Sequence, residues 1–197
     1  MHRRLFSLHS GTGSRFTVLP ALFLTLLCLL VASCTINVSG PGTGTGITPT
    51  PTTGTPHWGV QTKTSGCTAR GALQDPECTP GDIFPNVTKD QICQPGYSRS
   101  VRNVPTSEKN QVYAEYGIYH HSAGEYEVDH LVSLELGGSN DISNLWPEAA
   151  SPTPGFHQKD QVENYLHDQV CSGAMSLQEA QVEIATNWLA VYNRMSH

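Results

Sequence analysis

The rhythm of apolar and polar positions changes several times along this chain. Behind the basic residues Arg3, Arg4 and Arg15, an apolar run extends from Val18 to Ala32, interrupted only by Pro20 and Thr25. It reads as a secretory h-region and falls short of the about 20 apolar residues that a membrane-spanning helix requires. From Gly40 to Pro56 every residue is Gly, Pro or Thr except Ile47. Such a segment buries almost nothing and cannot offset the entropy of its own ordering, so it is expected to act as a tether. Periodic patterning begins only after it.

Alternation over Tyr97–Val104 predicts a strand, although neither of its faces is cleanly apolar. Residues 107–118 predict a helix capped by Ser107, with Val112, Tyr113 and Tyr116 on one stripe and Gly117 at the stop. A first strand with a loop is predicted from Tyr126 to Glu135. Leu136-Gly137-Gly138-Ser139-Asn140-Asp141 forms a turn, and Ile142–Trp146 returns as a short strand that Pro147 ends. A helix follows from near His157 to about Cys171, with Val162, Tyr165, Leu166 and Val170 on one face. The last helix opens on the capping box Ser176/Glu179 and keeps Leu177, Ala180, Ile184, Ala185, Trp188, Leu189 and Tyr192 in register, which places Trp188 in the core. The pattern predicts an α+β fold.

The sequence Leu30-Val31-Ala32-Ser33-Cys34 resembles a bacterial lipobox. It implies a signal peptide over 1–33, a lipidated Cys34 with its tether over 34–56, and a globular domain over 57–197. The protein is then expected to be exported and held at a membrane surface through the lipid on Cys34. Cysteine usage agrees with export. Setting aside Cys28 and Cys34 leaves Cys67, Cys78, Cys93 and Cys171, with no CxxC pair that would suggest a zinc knuckle. Two disulfides are expected, with at least one tying the loop-rich segment 66–95 to itself or to the helix ending near Cys171.

Charge narrows the functional classes. All 17 acidic residues but only 8 of the 11 Lys and Arg follow Cys34, so the processed chain carries −9. A protein that holds long duplex nucleic acid through a broad basic face would carry a different balance. Either nucleic-acid contact is confined to a small site, with a metal supplying much of the positive charge, or the substrate is not long duplex DNA.

The chemistry concentrates in Tyr126-Glu127-Val128-Asp129-His130, Leu136-Gly137-Gly138-Ser139-Asn140, Asn144-Leu145-Trp146-Pro147 and His157-Gln158-Lys159-Asp160. In type, order and spacing this stretch resembles the HNH endonuclease motif, with its core at 126–171. The resemblance implies a ββα-metal unit that hydrolyses nucleic acid, with DNA favoured over RNA. It implies His130 and Asn144 as the catalytic pair: His130 activates water, and Asn144 braces the loop and helps orient that base. Asp129 and His157 would be the protein ligands of one divalent ion, Mg²⁺ or Mn²⁺, with Zn²⁺ also admissible. Lys159, Arg99 and Arg102 are weaker candidates for phosphate contacts. Asp160 is a candidate for the helix N-terminus. His120 and His121 read as an exposed polar pair, His167 as solvated, and Glu135 as either packing or support for the site. Two rivals stand beside the nuclease: a non-catalytic surface lipoprotein using the fold as a binding module, and a domain whose metal is purely structural. No residue points to a protein partner.

Overall fold

The computed structural model describes residues 56–195. The expectations for the signal segment, for lipidation of Cys34 and for the tether up to Thr55 lie outside the described residues. Within them, two strands pair antiparallel: β1 (Tyr126–His130) and β2 (Leu145–Ala149), with His130 opposite Leu145, Asp129 opposite Trp146 and Glu127 opposite Glu148. The ladder is continued by Leu131 N–H to Asn144 C=O at 2.7 Å and Ala150 N–H to Glu125 C=O at 2.9 Å. Hydrogen-bonded positions recur at every second residue of an antiparallel pair. Trp146 and Glu148 therefore bond to β1, while Pro147 lies between them with its nitrogen turned to the open edge. That corrects the expectation that Pro147 ends the strand, because the donor it lacks is one the ladder never uses. β1 is also shorter than expected and stops at His130.

Between the strands the chain makes two 3-10 turns, Leu134–Leu136 and Ile142–Asn144, capped by the side chains of Ser133 and Asp141. Gly138 is required here by close approach. A β-carbon at this position would sit 1.7 Å from the Val132 carbonyl oxygen and 2.9 Å from Asn144 Nδ2.

Helices surround the hairpin. α1 (Lys89–Ile92) opens on a Thr88/Gln91 capping box, α2 spans Tyr97–Val101 and α3 spans Thr106–Glu115. The helical α2 replaces the strand expected over 97–104. Gly96 at φ 83° reverses the chain just before it, and Ser100 Oγ donates to the Tyr97 carbonyl. Alternation with no apolar face gave a strand there nothing to pack against. α4 (Phe156–Ser172) and α5 (Leu177–Met195) match the two expected carboxy-terminal helices, and Glu179 N–H bonds the Ser176 side chain at the start of α5. Gln158, not Asp160, caps α4, by accepting from Gly155 N–H at 2.9 Å.

One core joins these parts. Leu131, Val132, Leu136 and Trp146 from the hairpin pack with Val162, Leu166 and Val170 of α4 and with Ile184, Trp188 and Val191 of α5. Each large side chain buried there contributes about 1.5–3 kcal/mol. Disulfides Cys67–Cys78 and Cys93–Cys171 close the loop-rich part, one within itself and one onto α4. With sequence separations of 11 and 78, chain-entropy closure is worth about 3 and 4–5 kcal/mol.

Candidate active site

The end of β1 delivers Asp129 and His130 side by side onto opposite faces of the hairpin. His130 is 2 % exposed. Its Nε2 lies 3.2 Å from Asn140 Oδ1. The orientation of the Asn140 amide is fixed from the other side: Nδ2 donates to the Val101 carbonyl at 2.8 Å, and Oδ1 accepts Asn103 N–H at 3.0 Å. Oδ1 can only accept, so His130 Nε2 carries the proton and Nδ1 is left with its lone pair. Burial pushes the imidazole pKa down to about 4, reinforced by the Arg102 and Lys159 charges and opposed by Asp129 and Asn140. At neutral pH the ring is an uncharged base.

Asn144 is fully buried and uses its whole amide on the loop. Oδ1 accepts Val132 N–H at 2.9 Å and Asp82 N–H at 3.3 Å, while Nδ2 donates to the carbonyls of Val132 (3.0 Å) and Ser139 (2.8 Å). It is a brace for the turn that carries Asn140. No atom of its amide remains for a substrate.

Lys159 requires a correction. Expected at the surface as a candidate for phosphate, it is 0 % exposed. Its Nζ donates to Asp129 Oδ2 at 2.6 Å, to the His130 carbonyl at 2.8 Å and to Glu163 Oε1. Glu163 is held in turn by Ser133 Oγ at 2.8 Å. The lysine faces inward because residue 159 lies three and seven positions before Val162 and Leu166, on the buried stripe of α4. Burial disfavours its charge, yet Asp129, Glu163 and Glu148 together raise its pKa and keep the ammonium charged. Burial would raise Asp129 likewise, but Lys159 and His130 outweigh it and hold this carboxylate below the usual range.

One cation cannot neutralise three carboxylates. Glu148 is 1 % exposed, and neither of its oxygens meets an N–H or O–H donor. Burial pushes its pKa well above the ordinary value, with the Asp129 charge adding to the effect. A protonated Glu148 that donates to Asp129 resolves both observations. Burial also pushes Glu163 up to about 7. Sequence reasoning missed Glu148, Glu163 and Asn140.

The outer rim of the cluster is acidic. Glu127 and Asp160 are exposed, and each is raised first by desolvation and then by the Asp129 charge. His157 is exposed in the first turn of α4, with its ring 4.3 Å from that of Phe156. It acts electrostatically on Asp160, which also feels Asp129. Arg102 is exposed and acts on both His130 and Glu127, whereas Arg99 is simply exposed on α2. His120 is exposed as expected, and His121 stacks on Tyr113 at 4.4 Å between centroids. Glu135 is half-buried, with its backbone N–H on the Ser133 side chain.

His167 differs from its expected solvated state: its Nε2 lies 3.2 Å from the Ile92 carbonyl and 3.4 Å from Cys171 Sγ. Among the described residues, Cys93, His167 and Cys171 form the grouping of three potential metal-ligand atoms within 4.8 Å of one another. Both sulfurs are bonded to each other, so this is a histidine beside a disulfide and not an open coordination site. Comparisons with protein-family models, with curated proteins and with solved structures return no match.

Proposed function

We propose that this protein is an HNH-type, metal-assisted endonuclease that hydrolyses phosphodiester bonds with His130 as its general base. The observation that carries the reading is a buried, uncharged imidazole whose Nε2–H is clamped by Asn140, leaving Nδ1 to accept a proton. A base must be unprotonated at working pH and aimed by a second group. Both conditions hold at His130.

The HNH resemblance calls for a divalent ion at this end of the hairpin, although among the described residues no group of three converging ligand atoms includes Asp129 or His157. The donors are hard carboxylate oxygens and one imidazole, and Glu127 and Asp160 are both pushed toward their protonated forms, first by desolvation and then by the Asp129 charge. A cation would relieve that repulsion. By the resemblance, Asp129 and His157 would hold it, and both act electrostatically on Asp160. When bound, such an ion polarises the phosphate and stabilises the departing 3′ oxygen. The chain's own residues take the remaining roles in this reading. Lys159 holds the Asp129 carboxylate and the His130 carbonyl in place, Asn144 braces the turn, and Asn140 sets the tautomer. His130 Nδ1 takes a proton from the attacking water, and Arg102, whose charge acts on His130, is the candidate to receive a phosphate. The acidic balance of the chain favours a short contact over a long duplex footprint, and DNA is the first substrate to test.

Incubation of plasmid DNA with the protein in Mg²⁺, Mn²⁺ or EDTA, beside His130→Ala, tests the reading. Metal-dependent nicking that disappears in the variant is the expected result. Cleavage that persists in a His130→Ala/Asp129→Ala double variant would overturn it. A folded protein that cleaves neither DNA nor RNA, but binds nucleic acid equally in EDTA, would favour a binding module instead.

A further inference from the structure

Resting on that reading of His130, we propose that the Cys93–Cys171 disulfide is a redox latch on the catalytic base, so that the site is assembled only under oxidising conditions. One continuous path of contacts links the bridge to the base. His130 is oriented by Asn140, and Asn140 is oriented by backbone groups of Val101 and Asn103. Those two residues close the short segment that begins at Cys93 and carries α2, whose own residues include none that is buried. The segment's apolar anchorage is limited to Tyr97, half-buried against the core, and to Ile92 just before its start, and the covalent bond to α4 adds to that hold. Cutting that bond frees the stretch that holds Asn140, while the hairpin keeps its own ladder and the Asn144 brace.

The two disulfides differ in access. Cys67 and Cys78 are buried, at 5 % and 0 % exposure, whereas Cys93 and Cys171 are both half-buried. A dithiol reductant therefore reaches the second bridge first. Its thiolate attacks Cys93 Sγ and forms a mixed disulfide. Cys171 Sγ, which lies 3.4 Å from His167 Nε2, leaves as the thiolate and is then protonated from solvent. The reductant's second thiolate attacks its own sulfur in the mixed disulfide, closing the reductant to a cyclic disulfide. Cys93 is released and protonated. Two electrons and two protons pass to the protein. A nuclease built this way stays latent while its thiols are reduced and becomes competent once they oxidise.

The test compares the full chain oxidised, treated with dithiothreitol, and as a Cys93→Ala/Cys171→Ala variant. Two readouts are taken: plasmid nicking with Mg²⁺ or Mn²⁺, and exchange of the Asn103 and Leu131 amide hydrogens. Asn103 N–H reports the clasp on Asn140, and Leu131 N–H, bonded to the Asn144 carbonyl, reports the hairpin. Reduction and the variant should each speed Asn103 exchange by roughly tenfold or more while leaving Leu131 protected. Nicking should fall by roughly tenfold to a hundredfold. Reoxidation of the wild-type protein should restore both. Unchanged Asn103 exchange with both thiols free overturns the latch, as does equal loss of protection at Leu131, which would mean general loosening. If the oxidised protein never cleaves, the nuclease reading fails separately, and the exchange pair still decides whether the bridge controls the clasp.

Discussion

Replacing Lys159 with Met keeps the length and apolar stem of the side chain and removes one buried charge. In the native protein that ammonium, 0 % exposed, serves Asp129 Oδ2 at 2.6 Å, the His130 carbonyl at 2.8 Å and Glu163. After the change all three acceptors lose their donor, in a place water does not reach. Removing one partner from a buried ion pair costs about 3–5 kcal/mol, since the opposite charge stays behind uncompensated. The lost carbonyl bond overlaps with that figure and is not added to it. For a domain of this size the loss corresponds to a Tm lowered by roughly 10–15 °C. Urea unfolding at pH 7 measures it as a shift in midpoint at constant slope, with Lys109→Met on the exposed face of α3 as the control. A second arm at pH 5 should show a smaller loss, because Glu163 titrates near 7 and is then neutral, leaving Asp129 as the one stranded charge. A change below about 1 kcal/mol, no larger than that of an ordinary surface lysine, would refute the buried-cation account.

Other expectations follow from the same contacts. Glu163→Gln should flatten stability against pH: with the folded pKa raised from 4.5 to about 7, the proton's contribution is full below 4.5 and lost as pH rises to 7, so a urea series should show the variant ahead of wild type only above that window. His130 acts in the opposite direction, because its folded pKa is depressed from 6.5 to about 4. Its contribution is present above 6.5 and lost as pH falls toward 4, so His130→Ala should remove that acid slope from the same series. Asn140→Ala should lower kcat by roughly tenfold to a hundredfold with KM little changed, since it removes the group that aims the base without touching the rim; unaltered kcat counts against the assignment. Gly138→Ala, with a methyl 1.7 Å from the Val132 oxygen, should cost about 3 kcal/mol or more, and a variant as stable as wild type would mean the turn is not braced as described.

Much of the frame was legible because it rests on local periodicity. The stripe Val162, Leu166 and Val170 gave α4 nearly to the residue, and the Ser176/Glu179 pair placed the start of α5. The Asp129-His130 pair and Asn144 were singled out through the resemblance to the HNH motif; the pair was expected inside a strand running to Glu135 and instead ends it, and Asn144 directly precedes the return strand. α2 was misread because eight residues of weak alternation carry no information about which face has a partner. Pro147 was misread for a different reason: whether a proline breaks a strand depends on which side its nitrogen faces, and that is a property of the pairing register.

The buried charges show where local reading stops and what could have extended it. Lysine is almost never fully buried unless paired, so exposure is the sound first expectation for residue 159. The sequence nevertheless held a contrary signal: a helical stripe drawn back from Leu166 and Val162 runs through Lys159 and carries Glu163 beside it. A cation on the apolar face of a helix demands a carboxylate on whatever covers that face, and the covering strand ends in Asp129. Lys159 and its carboxylate partner were thus within reach of pattern reasoning. Glu148 was not. Its burial follows from the register that sets it across from Glu127, which lies far back along the chain, and the upward push on its pKa follows from burial with one ammonium among three carboxyls. Protonation in this cluster is a count over residues that only the fold brings together, which is why stability measured against pH tests the site more sharply than any single substitution.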